Sequence, residues 1–238
     1  MSEKTEKNIT IVGLGGIGSI LSNVISKFVS NKMQNDEINI NLNLIDGDEY
    51  EIKNKDRQEF SRYGNKAESK MNELKEKYFN INFKDYNLFI DEENISKIIK
   101  NEDVVFLAVD NHKTRKIVSD YATNKLEDVI IISGGNELED GNVQLYVKKG
   151  GKEITPSLTD YHPEIKNPVD KHPNEMSCEE LQNSEPQLYF TNLGVATYMA
   201  FTFYNVLNDN YNFSEVYFDM KTMKSDSKTR TIKIKKGE

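Results

Sequence analysis

The sequence has a single cysteine, Cys178, in 238 residues, so it can form neither an intrachain disulfide nor a cysteine-rich zinc site. No apolar run approaches the ~20 residues of a membrane-spanning helix, and no secretory signal precedes the first strand-like segment. The net charge of −8 argues against a nucleic-acid scaffold, whose phosphate contacts need clustered lysine and arginine. We therefore expect a cytoplasmic α/β protein with neither a nucleic acid nor a membrane as its partner.

Strand-like and helix-like segments alternate through the first 133 residues. The predicted strands are Asn8–Val12, Ile38–Ile45, Ile81–Tyr86, Asp103–Val109 and Val129–Ser133. The predicted helices follow the first glycine-rich turn to Met33 and then cover Tyr63–Tyr78, Glu92–Lys100 and His112–Lys125. This order predicts a doubly wound, mainly parallel, Rossmann-like sheet with helices on both faces.

The pattern changes after residue 134, and we predict antiparallel strands near the C-terminus. Asn142–Val147 alternates like an antiparallel strand, and Glu215–Met220 with Thr229–Lys235 is a predicted hairpin. The segment 149–186 has no regular period and predicts a long loop or lid. Ser184 begins a capping-box spacing that opens an apolar helix to about residue 207. We predict one domain over residues 1–238, with a nucleotide-binding core at 8–147, this loop, and a helix with a hairpin at 187–238.

A glycine-rich turn directly follows the first predicted strand. Gly13, Gly15 and Gly18 match G-x-G-x-x-G, with Gly16 between them. Such a turn lets the backbone approach phosphate oxygens, and the next helix N-terminus favours negative charge. Asp46 ends the second strand, where a carboxylate can accept hydrogen bonds from ribose hydroxyls. A nucleotide is expected, with NAD, FAD and ATP all open, and a strand–helix turn without a ligand is the alternative.

The polar segment after the second strand favours a triphosphate. Arg57 and Lys66 supply two cations close to the expected phosphate site. A redox dinucleotide has little use for them, whereas a triphosphate with a departing pyrophosphate does. The alternative for Lys66 is a solvated side chain on a charged helix.

Asp110 follows a buried strand at the end where doubly wound folds bind ligands. Its carboxylate is a candidate Mg²⁺ ligand, since Mg²⁺ prefers one or two carboxylates together with phosphate oxygens. The alternative is an N-cap for the helix that begins near His112. Arg115, one turn into that helix, is expected to be a structural ion-pair partner.

Five segments together resemble the ThiF/MoeB/HesA-type adenylyltransferases, the family that includes the ubiquitin-activating enzymes. The segments are GLGGIGS at 13–19, DGDEYEIKNKDRQ at 46–58, YGNKAESK at 63–70, DVVFLAVDNHKTR at 103–115 and SGG at 133–135. They occur in the family's order. The later part of the chain resembles the zinc-lacking ThiF-type proteins of bacterial mobile-element systems, in keeping with the single cysteine.

The resemblance implies an ATP- and Mg²⁺-dependent nucleotidyltransferase that acts as a homodimer without zinc. Its reaction is the activation of the C-terminal carboxylate, typically of a glycine, of a ubiquitin-like protein or peptide as an acyl adenylate. The residues that the resemblance assigns to this site are Asp46 for ribose, Arg57 and Lys66 for the phosphates, Asp110 for magnesium, and Asp48, Asn54 and Gln58 as further nucleotide-binding residues.

The position of Cys178, after the long loop and before the apolar helix, resembles that of the family's cysteine that accepts an acyl or sulfur group, which makes it a candidate acceptor. The spacing from Ser177 to Glu180 predicts a helix N-terminus, where the thiolate is favoured. One alternative is an inert, packed cysteine. Another is a metal site formed with His162 and His172.

The residues alone are also compatible with two other functions. A nicotinamide or flavin oxidoreductase would use the glycine turn and Asp46 but has no role for the cations that follow. A non-catalytic member of the same fold would bind a partner and bind nucleotide weakly or not at all. The response of the protein to ATP, NAD and FAD separates these alternatives from the adenylyltransferase.

Overall fold

A computed structural model describes residues 5–35, 38–176 and 187–233. The strands are β1 Thr5–Val12, β2 Ile38–Ile45, β3 Glu49–Tyr50, β4 Gly64–Asn65, β5 Asn82–Tyr86, β6 Val104–Leu107, β7 Val129–Asn136, β8 Asp140–Lys149, β9 Lys152–Glu153, β10 Glu215–Asp219 and β11 Lys224–Lys228. The helices are α1 Gly16–Asn35, α2 Lys66–Lys77, α3 Ile95–Ile98, α4 His112–Lys125, α5 Pro163–Lys166 and α6 Tyr189–Leu207. No helix among these residues is long and apolar enough to cross a membrane.

The main sheet has the strand order β11-β10-β8-β7-β6-β1-β2-β5, and β9 pairs with β8. The strands from β5 to β7 in this order are parallel, and β8, β10 and β11 are antiparallel. The predicted doubly wound, mainly parallel sheet with C-terminal antiparallel strands is confirmed. The chain leaves β1 toward β2 and later returns to its other side as β6, so the topological switch point lies between β1 and β6.

Two apolar cores cover the faces of the sheet. On one face, residues such as Ile11 and Phe106 pack with the buried stripes of α1 and α6. On the other face, Val105 and Leu107 pack with α3 and α4. Neighbouring residues of β6 thus point into opposite cores, as the pleat of a strand buried on both faces requires. The loops at the ends of these strands are therefore held on a rigid platform.

The second strand of the C-terminal hairpin is predicted at Thr229–Lys235, and this prediction is wrong for the residues that the structure describes. The strand that pairs with β10 is β11, and Asp219 lies directly opposite Lys224. Met223, with φ of +54°, closes the tight turn between them. The turn sets the register of a hairpin. The strand that pairs with β10 is therefore the exposed, polar β11, and not the alternating segment Thr229–Lys235 that the sequence predicts.

The helix predicted at Tyr63–Tyr78 begins only at Lys66. Gly64, with φ of +104°, and Asn65 form the short strand β4 instead. The Asn65 side chain then caps α2 by accepting a hydrogen bond from the backbone N–H of Glu68. Because the helix begins later than predicted, Lys66 lies in its first turn.

The predicted loop or lid contains only short elements among its described residues. These are β9, α5 and a single 3₁₀ turn at Pro173–Glu175. Ser184 and its capping box lie outside the described residues. The apolar helix predicted after it corresponds to α6.

Candidate functional site

A cleft of about 880 Å³ opens at the carboxyl ends of the parallel strands, at the topological switch point. Doubly wound folds bind their ligands at this place. The structure brings ten of the predicted site residues together there. The cleft is lined by Gly13, Gly15, Gly16, Asp46, Asp48, Asn54, Arg57, Gln58, Lys66 and Asp110. Cys178 lies outside the described residues.

Three glycines of the turn are tightly packed and one, Gly15, is open; a Cβ on Gly16, for example, would lie 2.1 Å from Nδ2 of Asn192. Gly13 has φ of +87°, and a Cβ there would lie 2.8 Å from the carbonyl oxygen of Ala108. A Cβ on Gly18 would lie 1.8 Å from the carbonyl oxygen of Gly13, so this glycine acts behind the turn by letting α1 pack closely. At Gly15 the nearest atom would be 3.9 Å away, on Gln58. The turn therefore leaves its middle open to the cleft.

Asp46 ties the end of β2 to the glycine turn. Its buried carboxylate accepts hydrogen bonds from the backbone N–H groups of Leu14 at 2.6 Å and Asp48 at 2.9 Å. Burial raises the pKa of Asp46, and the nearby Lys66 ammonium opposes that rise. A carboxylate has about four acceptor sites. Asp46 can thus hold the turn and still accept a ribose hydroxyl, the role that the sequence predicts for it.

Lys66 is buried rather than solvated, with 6% of its surface exposed. Its Nζ lies 2.6 Å from Oδ2 of Asp48. Burial would lower the pKa of Lys66, but Asp46, Asp48 and Asp110 together raise it above its ordinary value. The ammonium is therefore charged at neutral pH and is held in the wall of the cleft.

A 3₁₀ turn at Ile52–Asn54 positions Arg57 and Gln58, the polar side chains that follow it. Oδ1 of the buried Asn54 accepts a hydrogen bond from the backbone N–H of Glu51. The carbonyl of Asn54 in turn accepts from the backbone N–H groups of Arg57 and Gln58, at 3.2 and 2.9 Å. Asn54 thus holds the shape of the segment, while Arg57 and Gln58 reach the cleft. Oε1 of Gln58 is buried and has no hydrogen-bond partner within the described part of the chain.

Asp110 is exposed in the cleft and is not the N-cap of α4. That position belongs to Asn111, whose Oδ1 accepts a hydrogen bond from the backbone N–H of Thr114 at 2.8 Å. The Asp110 carboxylate is therefore spared for a ligand. No cluster of three or more metal-ligating side chains occurs among the described residues. One carboxylate suits Mg²⁺, which takes its other ligands from phosphate oxygens and water.

Arg115 has a structural role, although not as the expected ion-pair partner. It is buried and donates hydrogen bonds to Ser133 Oγ and to the carbonyls of Val109 and Gly134, at 3.1, 2.7 and 2.8 Å. Burial lowers the pKa of Arg115 to about 10, although the carboxylate of Asp110 opposes that shift. Arg115 thus joins the segment before α4, through the carbonyl of Val109, to the end of β7.

The far end of the cleft carries a charged cluster that the sequence analysis missed. Glu215 accepts from His162 Nε2 at 2.9 Å, from the Tyr217 hydroxyl at 2.6 Å and from Arg230 Nε at 3.0 Å. His162 also bonds to Glu164 through Nδ1 at 2.8 Å. Glu215 and Tyr217 lie on β10, whereas His162 precedes α5 and Arg230 follows β11. No local pattern in the sequence signals them.

The two histidines of the alternative metal site have separate hydrogen-bond partners. His162 lies between two glutamates, as described above. His172 Nε2 bonds to the carbonyl of Ile90 at 2.7 Å, and its Nδ1 accepts from the backbone N–H of Asn174 at 3.2 Å. Hydrogen bonds thus hold the imidazole rings of both His162 and His172 in place. Cys178, their third predicted ligand, is outside the described residues.

We expect Glu215 to stabilise the fold above pH 4.5 and to lose this contribution in acid. Burial alone would raise its pKa, but the hydrogen bonds from His162, Tyr217 and Arg230 lower the pKa of Glu215 from 4.5 to about 2. The stabilisation is therefore complete above 4.5 and disappears as the pH falls toward 2. In urea unfolding, Glu215→Gln is expected to cost about 1–2 kcal/mol at pH 6, after solvent screening, and less at pH 3. A cost that does not change between these two pH values would contradict this account.

The fold and the cleft define a doubly wound α/β protein with a glycine-rich turn and a buried lysine at its topological switch point. The sequence profile of the ThiF family matches residues 3–238. The chain belongs to the ThiF family. A comparison with curated proteins gives no match.

Solved structures of the same fold include two of MccB, one of them from E. coli, and one of PaaA. MccB with ATP is 18% identical with a TM-score of 0.70, and the match covers 94% of this chain and 63% of that one. The microcin C7 biosynthetic enzyme MccB in complex with N-formylated MccA is 20% identical, with a TM-score of 0.70 and coverage of 94% and 64%. PaaA is 15% identical, with a TM-score of 0.67 and coverage of 94% and 72%. The chain thus spans less than two thirds of the length of MccB.

Proposed function

We propose that this protein is an ATP- and Mg²⁺-dependent adenylyltransferase that activates the C-terminal carboxylate of a peptide or a ubiquitin-like protein. The observation that carries the proposal is the buried, charged Lys66 in the wall of a cleft that also holds an open glycine turn and the exposed Asp110. A redox dinucleotide needs no such cation and metal ligand. Transfer from a triphosphate needs both, because charge develops on the departing pyrophosphate.

The proposed reaction forms one bond and breaks one. A carboxylate oxygen of the acceptor attacks the α-phosphorus of ATP, and the bond between the α-phosphorus and the bridging oxygen breaks, so that pyrophosphate leaves with its electron pair. The nucleophile is already an anion and needs no general base. Catalysis then consists of positioning and charge neutralisation.

Each residue has a separate task in this proposal. The open glycine turn approaches the phosphates, and Asp46 accepts from the ribose. Lys66 and Arg57 neutralise phosphate charge, and Gln58 adds a polar contact. Asp110 holds Mg²⁺, which when bound offsets the negative charge of the phosphates.

The choice of nucleotide can be tested without knowing the acceptor. We expect ATP with Mg²⁺ to raise the Tm of the full chain, since a ligand that binds only the folded state stabilises it. NAD and FAD are expected to leave Tm unchanged at the same concentrations. A rise with NAD or FAD but not with ATP would support an oxidoreductase, and no response to any of the three would support a non-catalytic member of the fold.

The proposal of a peptide acceptor rests on a solved structure of the same fold. MccB has been solved in complex with MccA, which supports a peptide acceptor here. A ubiquitin-like protein and a C-terminal glycine are the narrower form of the proposal. A pull-down from the native host, followed by mass spectrometry for a small protein or peptide with a free C-terminus, identifies the acceptor.

Transfer of the activated acyl group to Cys178 stays a prediction from the sequence. A Cys178→Ser variant separates the two stages. If the thiol is only packed in the protein, this variant forms the acyl adenylate and transfers the acyl group to the final acceptor as the wild type does. If the thiol accepts the acyl group, the variant still forms the adenylate but not the thioester, which in the wild type is cleaved by hydroxylamine or by an added thiol. We place both stages in the cytoplasm, where the thiol stays reduced.

An apolar stripe on α6 supports a homodimer. Phe190, Phe201 and Tyr204 are 70%, 58% and 61% exposed, and Leu207 is 48% exposed. Large apolar side chains clustered on one surface are typical of protein interfaces. The buried side of the same helix packs in the core, so α6 would serve both core and interface.

We expect Phe201→Glu to convert a dimer to a monomer while the fold is kept, because a charge at an apolar interface is left desolvated. Light scattering coupled to size-exclusion chromatography measures the mass. Phe79→Glu is the matched control, since Phe79 is 90% exposed and lies away from α6. A wild type that is monomeric at all concentrations, or a Phe201→Glu variant that remains a dimer, would show that this stripe is not the interface.

A further inference from the structure

Asn192 is a polar residue in the buried, apolar stripe of α6. None of its surface is exposed. Val195, Ala196 and Met199, which follow it on the same face of the helix, all lie in the apolar core. Helical spacing therefore predicts an apolar residue at position 192. An amide in that place costs free energy unless it is hydrogen-bonded.

The amide of Asn192 is only partly hydrogen-bonded. Its Nδ2 donates to the backbone carbonyl of Arg57 at 3.1 Å and lies 3.5 Å from Oε1 of Gln187. Its Oδ1 is buried and has no hydrogen-bond partner in the part of the chain that the structure describes. A buried acceptor without a partner is destabilising. Stability alone therefore does not explain why an amide stands at this position.

The same amide packs against the glycine turn. Its Nδ2 lies so close to Gly16, the first residue of α1, that a Cβ on this glycine would clash with it. Gly16 and Arg57 both line the cleft. Asn192, which is fully buried, lies behind them and contacts both. One amide thus joins α6 to the two segments that border the phosphate site.

The hydrogen bond from Asn192 fixes one end of the peptide group between Arg57 and Gln58. The N–H of this group belongs to Gln58 and donates to the carbonyl of Asn54 at 2.9 Å. Its C=O belongs to Arg57 and accepts from Asn192. Because a peptide group is planar, hydrogen bonds at both ends fix its orientation. They thereby fix the direction in which the Arg57 side chain leaves the backbone.

A second contact joins the start of α6 to the same segment. The hydroxyl of Tyr189 donates to Oε1 of Glu59 at 2.5 Å. The backbone N–H of Glu59 donates to Ser19 Oγ of α1 at 3.0 Å. The segment that carries Arg57 is thus held between α1 and α6, although Asn192 follows Arg57 by 135 residues in the chain.

We propose that Asn192 is a positioning residue of the nucleotide site, which directs the Arg57 side chain toward the phosphates by holding the carbonyl of Arg57. Asn192 acts through this backbone group and does not touch the nucleotide. The inference rests on the proposed function, since that function gives Arg57 a phosphate to neutralise. It extends the site to α6, which none of the glycine, aspartate or lysine motifs reaches.

Asn192→Leu is expected to weaken the binding of ATP with Mg²⁺ by at least about threefold and to leave the binding of adenosine unchanged. Leucine has the shape of asparagine but no donor, so the variant keeps the packing and releases the Arg57 carbonyl. The Tm should stay within about 4 °C of the wild-type value, because the lost hydrogen bond is offset by removal of the unpaired Oδ1. Isothermal titration and thermal unfolding of the full chain measure these quantities.

A double-mutant cycle with Arg57→Ala shows whether Asn192 acts through Arg57. If it does, Asn192→Leu weakens ATP binding when Arg57 is present and has no further effect in the Arg57→Ala background. A role in stability alone predicts the same change in both backgrounds. Equal weakening in both, or equal weakening of ATP and adenosine, would overturn the proposal.

Thr202→Val is the matched control. Thr202 lies on the buried side of the same helix, and its Oγ1 is also buried without a partner among the described residues. Valine has the shape of threonine, so this variant should bind ATP as the wild type does. If it weakens ATP binding as much as Asn192→Leu does, any change in the packing of α6 reaches the site and the proposal fails. Asn192→Ala, which is smaller, takes the place of Asn192→Leu in all these measurements if the leucine variant does not fold.

The wild type separates this inference from the proposed function. If the wild type does not bind ATP, the proposed function and the role of Asn192 both fail. If the wild type binds ATP and the Asn192 variant binds it with the same affinity, only the role of Asn192 fails.

Discussion

The Asp110→Ala variant is expected to lose the part of ATP binding that depends on Mg²⁺. Asp110 is exposed in the cleft, and Asn111 serves as the N-cap of α4 in its place. Its carboxylate is therefore available to a metal ion bound to phosphate oxygens. Isothermal titration should show that Mg²⁺ tightens ATP binding to the wild type, and that the variant loses at least about tenfold of this gain.

The fold should not change in this variant, because an exposed side chain outside the caps and the core alters stability by no more than about 0.5 kcal/mol. Asp120→Ala is the matched control. Asp120 is a carboxylate on α4 that pairs with Lys116 at the surface, at 2.5 Å. If Asp110→Ala binds ATP with the same dependence on Mg²⁺ as the wild type, the metal-ligand assignment is wrong.

The Lys66→Met variant is expected to bind ATP about 10–100-fold more weakly and adenosine as the wild type does. The ammonium is buried and charged, and it faces the cleft beside Asp48. A hydrogen bond to a charged group contributes about 1.5–3 kcal/mol, which corresponds to that range of affinity. Adenosine has no phosphate, so it loses no direct contact in this variant, and Lys66 acts on it only through the pKa of Asp46. Titration of both ligands into both proteins gives the comparison.

The control for this substitution is Lys116→Met, which removes a lysine from a surface pair on α4. It should leave both affinities unchanged. Equal weakening of ATP and adenosine by Lys66→Met would indicate that the cleft is distorted rather than deprived of a phosphate contact. An unchanged affinity for ATP would remove Lys66 from the phosphate site.

The parallel part of the fold could be predicted because its signals are local. β2 and α4 have the predicted bounds, Ile38–Ile45 and His112–Lys125. One is an apolar run buried in the sheet, and the other begins after an asparagine cap. The second strand of the hairpin could not be predicted in this way. Its register depends on the turn before Lys224, and β11 itself is polar and exposed.

The candidate site could be predicted in its residues but not in its electrostatics. The burial of Lys66 depends on the pairing of Glu49–Tyr50 with Gly64–Asn65, which brings Lys66 N–H to the carbonyl of Asp48 at 2.9 Å. Each of these two strands has only two residues, which is too few to give a periodic pattern in the sequence. The choice between Asp110 and Asn111 as N-cap rests on a shift of one residue, and both types cap helices well.

The central claim is that this cleft joins a carboxylate to the α-phosphate of ATP, and the exchange of labelled pyrophosphate into ATP measures that step directly. With the acceptor captured from the native host, we expect exchange that requires the acceptor and Mg²⁺ and that falls by a factor of about 10²–10³ in Lys66→Met. Exchange that proceeds at the wild-type rate in Lys66→Met, or no exchange with any captured acceptor while ATP also fails to bind, would contradict the account.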